Sequence, residues 1–149
     1  MSLSGSSTAE IQSPLDSVWA LVQDVESAPK WQGGLNALRA IDRDGEGRPI
    51  RCETETDAKI RSVKSIVRFT YEGPTRLSWT QEKGDLKSVT GSWELEDLGG
   101  ERTRATYLID VDLGRKLGML VRGAVVDVLR HMLAGARAGE LKKAIENSA

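Results

Sequence analysis

Between residues 35 and 113 apolar side chains recur at every second position, and on either side of that stretch the spacing changes to three and four. In IRCETETDA, Ile50, Cys52, Thr54, Thr56 and Ala58 share one face, with Arg51, Glu53, Glu55 and Asp57 on the other. VKSIVRFTY places Val63, Ser65, Val67, Phe69 and Tyr71 together, Ile66 alone breaking the alternation. RLSWTQE contributes Leu77, Trp79 and Gln81, and VTGSWELED contributes Val89, Gly91, Trp93 and Leu95. RATYLIDVDL contributes Ala105, Tyr107, Ile109, Val111 and Leu113. The breaks DGEGRP, EGPT, EKGD and LGGE are turn-forming, so six strands joined by short hairpins are predicted, in an antiparallel meander.

Ahead of the meander, SSTAEIQ (residues 6–12) reads as a first strand. Ser13 as N-cap and Pro14 at the first helical position predict a helix over 14–23, with Leu15, Val18, Trp19 and Val22 on its apolar stripe. Asp24 then caps a short turn, VESA, ended by Pro29, before Trp31 and the pliable Gln32-Gly33-Gly34. After the meander, LVRGAVVDVLRHMLAG (residues 120–135) predicts part of one long helix beginning near Leu117. At about 100° per residue, Leu120, Val121, Ala124, Val125, Val128, Leu129, Met132, Leu133 and Ala136 form one broad arc, opposite Asp127 and Arg130. Gly135 and Gly139 fall within the arc and leave room beneath it. So wide an arc suits a curved sheet better than a single partner helix.

The expected fold is therefore α+β: a curved antiparallel sheet of about seven strands, two short helices after strand 1, and a long C-terminal helix over the concave face. Residues 1–149 make one domain, residues 1–5 reading as an unordered or tag-derived start. A formal net charge of −1 offers no basic field for nucleic acid. Arg102, Arg104, Arg115, Lys116 and Arg122 lack interleaved aromatics and read as solvated surface. One cysteine and one histidine exclude an internal disulfide and leave too few soft ligands for zinc, so neither metal nor cofactor is expected. No secretory signal and no membrane-length apolar run is visible, which points to a cytoplasmic location.

Three segments carry a family likeness: SPLDSVWALVQDVESAPKW, YEGPTRLSWT and LKSVTGSWELEDLGGERTRATYLIDVD. With the order of elements, they make the chain resemble the helix-grip fold of the START and birch-pollen-allergen superfamily. Within it, the chain is similar to bacterial polyketide cyclase/dehydrase and coenzyme-Q-binding-like proteins. The likeness spans roughly residues 6–146. It implies a deep apolar cavity between the long helix and the sheet, filled in different members by lipids, isoprenoid quinones, polyketides or other apolar molecules. Only some members catalyse a reaction, and fold alone does not decide which class applies.

The alternation then nominates the cavity wall. Cys52, Thr54, Thr56, Val67, Phe69, Tyr71, Trp79, Gln81, Gly91, Trp93, Tyr107 and Ile109 face inward from the strands, with Val121, Val125, Val128 and Met132 from the helix. Trp31, Arg122 and His131 are candidates for the rim. This strand face holds hydroxyls, one amide and aromatic rings but no acid or base, the profile of an apolar ligand site with a few orienting groups. Each residue has a plainer reading: Trp79 and Trp93 as core aromatics, Cys52 as a small hydrophobe, His131 as the surface partner of Asp127. The leading expectation is binding, transport or sequestration of an apolar small molecule such as a lipid, isoprenoid or polyketide. The alternatives are a polyketide cyclase/dehydratase oriented by Tyr107, Gln81, Thr54 or Thr56, and a protein-interaction module. Oligomeric state, monomer or homodimer, is open.

Overall fold

The strand alternation builds a single seven-stranded antiparallel sheet in the order β1-β7-β6-β5-β4-β3-β2. The computed structural model describes residues 1–58 and 61–147. β1 (Ser2–Ile11) leads into α1 (Leu15–Gln23) and a 3-10 turn (Val25–Lys30). The meander follows as β2 (Leu35–Arg43), β3 (Pro49–Asp57), β4 (Ser62–Glu72), β5 (Arg76–Gly84), β6 (Ser88–Gly99) and β7 (Arg102–Asp112). Register shifts in β2–β3 and between Ile66 and Val67 of β4 add the local twist that bends a sheet.

The chain then forms α2 (Gly114–Gly118), α3 (Ala124–Arg130), a π-turn (His131–Gly135) and α4 (Arg137–Asn147). This is the helix-grip arrangement, α+β with the C-terminal helix across the concave face of the curved sheet.

Four local expectations need correction. The first strand starts at Ser2, not Ser6: Leu3 is buried against the core and pairs with Val111, so residues 2–5 belong to the fold. Pro14, extended at φ −67° and ψ 156°, takes the cap position expected of Ser13, and Pro29 lies inside the 3-10 turn rather than ending it. The long helix does not run unbroken from Leu117. Residues 119–123 are non-helical, and Gly123 sits at φ 56° and ψ −128°, a conformation open to glycine but strained for other residues.

The fourth correction concerns helix phase. In the π-turn the Ala136 N–H reaches back five residues to the His131 carbonyl. That extra residue rotates everything after it by about 100° relative to a regular helix. The buried positions therefore step from Leu129 to Ala134, then to Ala138, Leu141 and Ile145. Leu120, Val125 and Val128, placed on the covered arc by regular spacing, stand exposed, as do Gly135 and Gly139.

Two apolar clusters result. The larger joins α1 and α4 to the sheet through Ile11, Val18, Cys52, Leu77, Trp93 and Leu141, among others. The smaller holds α2 and α3 to the β1–β7 end through Leu3, Val63, Val111, Leu117, Val121 and Leu129. The helical segment is tied to β1 by polar contacts as well. The Ala138 N–H donates to Ser7 Oγ at 3.0 Å, Lys142 Nζ to the Glu10 carbonyl at 2.6 Å, and the Gln12 N–H to Glu146 Oε2 at 3.0 Å. At Gly5 the approach is so close that a Cβ would stand 2.7 Å from the Ala134 methyl.

Candidate functional site

Antiparallel register sets two rows of side chains on the concave face. One runs Phe69, Trp79, Gly91, Ile109 across β4, β5, β6 and β7; the next runs Tyr71, Leu77, Trp93, Tyr107. Their rings form a continuous band. Trp93 and Tyr107 meet edge-on at 4.8 Å between centroids, Tyr107 and Trp79 at 5.6 Å, and Trp79 and Phe69 at 6.0 Å. Trp31 adds a ring from the segment after the 3-10 turn, 6.2 Å from Trp93. Such tilted pairs are the arrangement that ring quadrupoles favour.

Between this band and the helix lies a cavity of about 130 Å³. Of the strand residues nominated from the sequence, Thr54, Thr56, Val67, Phe69, Trp79, Trp93, Tyr107 and Ile109 line it, and so does Trp31, nominated for the rim. The rest have other places. Cys52 is wholly buried in the core beside the cavity, and burial pushes its thiol up to about 12. The Tyr71 hydroxyl donates to the Pro49 carbonyl, while the Arg48 guanidinium lies 4.5 Å from its ring centre. Gln81 is spent on structure: its Oε1 accepts from Ser65 Oγ at 2.7 Å and its Nε2 donates to the Leu86 carbonyl at 2.8 Å. Gly91 is covered by the Trp79 indole.

The helix nominations fare differently. Val121 is buried in the second cluster, Met132 is partly buried outside the lining, and Val125 and Val128 face outward. Arg122 and His131 are exposed and line no part of this cavity. The carboxylate of Asp127 pairs with Arg130 at 3.3 Å rather than with His131, whose ring lies against Gly135. Val121 and Arg122 lie in the non-helical stretch of residues 119–123, where the regular spacing that nominated them does not hold.

In their place the helix delivers Leu133 and Arg137, and α1 with its following turn delivers Val22, Val25 and Ala28. Arg137 escapes detection in the sequence because a regular helix places it about 20° from Arg130, on the polar side. It is 3% exposed and is the one charged side chain among the described lining residues. Its Nη1 donates to Glu140 Oε1 at 2.6 Å, and Glu140 Oε2 accepts the Gly33 N–H at 2.9 Å. One carboxylate thus neutralises the buried guanidinium and fastens the glycine turn to α4. Trp31 Nε1 and Arg137 Nε are both buried without a hydrogen-bond partner among the described residues.

The chemistry open to this lining is narrow. Burial holds the Tyr107 phenol up at about 12, with Arg137 opposing the shift through its charge and a hydrogen bond. At neutral pH Tyr107 is therefore a neutral hydroxyl. Among the described residues no carboxylate or imidazole lines the cavity, and no group of three or more His, Cys, Asp or Glu side chains is placed to hold a metal ion. No helix among them is long and apolar enough to cross a membrane.

Solved structures similar to this one share the fold at low identity. A START superfamily protein from Mycobacterium smegmatis matches with a TM-score of 0.83 at 20% identity, covering 98% of this chain and 99% of its own. A protein from Thermus thermophilus matches at 0.81 and 18%, covering 98% and 99%. The Zhui aromatase/cyclase from a Streptomyces species matches at 0.76 and 16%, covering 99% and 95%. No curated protein matches the sequence. Residues 11–137 match the family described as polyketide cyclase/dehydrase and lipid transport, and the chain belongs to that family.

Proposed function

We propose that this protein binds an apolar small molecule, with a ring-sized portion held in the cavity between the aromatic band and the helix. The observation that carries this reading is the composition of the wall: aromatic and aliphatic side chains, two threonines, one glutamine, one tyrosine and a single arginine already paired with Glu140. Cavities of this kind take ligands through burial of apolar area and use a few polar groups for orientation. An engineered apolar cavity of about 150 Å³ admits benzene. A cavity of about 130 Å³ is of the size that takes one ring. A lipid, isoprenoid or polyketide longer than one ring extends beyond this cavity.

A cyclase or dehydratase activity is the second reading, supported by the likeness in fold to an aromatase/cyclase. Such a reaction needs a group that takes a proton near neutral pH. The lining offers Tyr107, which does not ionise there, so binding is the better-supported reading.

Native mass spectrometry of freshly purified protein and titration with benzene followed by amide NMR together test the proposal. The expected result is an apolar adduct that organic extraction releases, and saturable shifts confined to the cavity wall. Absence of both would overturn the binding reading. Turnover of an aromatic polyketide precursor would replace it with the enzymatic one.

A further inference from the structure

Among the described residues seven large apolar side chains stand exposed, and four of them fall between residues 119 and 128. Met119 and Leu120 are 62% and 60% exposed in the non-helical link between α2 and α3. Val125 and Val128, 38% and 46% exposed, lie three residues apart on α3 and so share one helix face. The inner side of the same segment is fastened to the body of the protein. Leu117, Val121 and Leu129 are buried in one cluster with Leu3, Val63 and Val111. The link is folded back on itself, the Leu120 N–H donating to the Leu117 carbonyl at 3.0 Å and the Val125 N–H to the Arg122 carbonyl at 3.2 Å. Exposed Met1 comes up beside it, its Cβ 2.9 Å from where a Cβ on Gly118 would stand. Exposed apolar residues scattered singly are ordinary, whereas a concentration of them marks an interaction surface.

Charge identifies what covers it. Between Asp112 and Glu140 the chain carries the bases Arg115, Lys116, Arg122, Arg130 and Arg137 against one acid, Asp127, although the whole chain has a formal net charge of −1. The surplus of cations is therefore local. Arg137 is buried against Glu140, and Arg130 is held by Asp127 at 3.3 Å and by the Ser4 carbonyl at 3.1 Å. Arg115, Lys116 and Arg122 are exposed, and their side chains make no ion pair or hydrogen bond among the described residues.

A second copy of the chain meeting this face about a two-fold axis would bring three cations toward their own kind, with only an already paired acid to offset them. An anionic bilayer suits both sets of side chains, because its acyl boundary takes apolar tips while its headgroups attract Lys and Arg. We infer that the α2–α3 segment is a docking surface for an anionic lipid membrane. Met119, Leu120, Val125 and Val128 enter the acyl boundary, and Arg115, Lys116 and Arg122 lie at the headgroups. No helix among the described residues is long and apolar enough to cross, so the contact is peripheral. It does not depend on what the cavity binds.

Sedimentation of the full chain with sucrose-loaded vesicles tests it, using phosphatidylcholine alone and equal parts phosphatidylcholine and phosphatidylglycerol. Binding to the mixed vesicles is expected, roughly tenfold or more tighter than to phosphatidylcholine alone. It should weaken as salt shortens the Debye length from about 10 Å at 0.1 M to about 3 Å at 1 M. Met119→Gln with Leu120→Gln should lower binding to mixed vesicles roughly tenfold, and so should Arg115→Gln with Lys116→Gln and Arg122→Gln. All five positions are exposed, so urea midpoints should match the wild type and separate lost docking from lost folding. Absence of binding to mixed vesicles would overturn the proposal. Binding that survives the Met119→Gln, Leu120→Gln change would also overturn it, since the apolar side chains would then have no part. Self-association that this change abolishes, without vesicle binding, would assign the face to a second copy. Binding of free polyglutamate in place of vesicles would assign it to an acidic polypeptide.

Discussion

The indole of Trp79 lies where a side chain on Gly91 would stand, the two residues facing one another across β5 and β6. A missing side chain on β6 is thus what lets a large ring lean over the sheet and form part of the cavity wall. Gly91→Ala puts a methyl into the indole and forces it to move, an overpacking change that costs about 1–3 kcal/mol. The expected outcome is a lower Tm together with weaker binding of benzene. Unchanged benzene affinity in a folded Gly91→Ala protein would mean that Trp79 does not shape the site.

Leu133 separates two spaces. It lines the main cavity on one side and, on the other, a void of about 20 Å³ bounded by Val63, Leu113, Leu117, Val121 and Leu129. Leu133→Ala should join them. Because Leu133 is only partly buried, the loss of stability should lie near the lower end of the roughly 2–5 kcal/mol usual for Leu→Ala in a core. Two-ring ligands such as naphthalene should gain affinity relative to benzene, measured by the same NMR titration. An unaltered naphthalene-to-benzene ratio would count against the wall assigned to Leu133.

The Arg137–Glu140 pair predicts strong non-additivity. Glu140→Ala leaves a 3%-exposed guanidinium uncompensated and also releases the Gly33 turn, so a loss of about 3 kcal/mol or more is expected. Adding Arg137→Met to Glu140→Ala removes the stranded charge and should restore part of that loss. Urea unfolding of the two single variants and the double variant measures the coupling. Strictly additive losses would show that the two side chains do not act as a pair.

Alkaline pH should weaken the fold through Cys52 and Tyr107. Burial is the main cause of both shifts, each group rising to about 12, while their unfolded counterparts ionise near about 8.5 and 10. The neutral forms are native-favoured, so the unfolded chain loses these protons first. Their contribution is whole below about pH 8.5 and drains away as pH rises through about 12. Urea midpoints should fall between about pH 8 and 10.5, and the fall should be shallower in Cys52→Ala. A slope unaffected by that substitution would remove Cys52 as a contributor.

Strand alternation is a sound guide to this site because it rests on local geometry. Thr54, Phe69, Trp79, Trp93 and Tyr107 face the cavity as their period of two requires. The helix is less legible, since a regular 3.6-residue period has no means of marking the extra residue in the π-turn. Gly118, Gly123 and Gly135 are visible as weak points, yet only packing decides which of them breaks the helix. Gly5 and Ser7 of β1, the one meeting Ala134 and the other the Ala138 N–H, help set the phase that carries Arg137 inward. That contact spans nearly the whole chain, so no local window of sequence could disclose it. Gln81 misleads for a related reason: it faces inward, but its amide is consumed by Ser65 and Leu86.

The pairing of β1 with β7 bears on the order in which the molecule assembles. β2 to β7 can zip as successive hairpins while the chain is being synthesised, each strand meeting a partner made moments earlier. β1, made before the other strands of this sheet, waits for the last of them, because its registered pairs run from Ser2–Asp112 to Ile11–Thr103. Its remaining neighbours, Ala134, Ala138, Lys142 and Glu146, come later still. The end of the sheet on which the helix rests is therefore the last part of this fold to close, and the cavity acquires its roof only after all seven strands have been made.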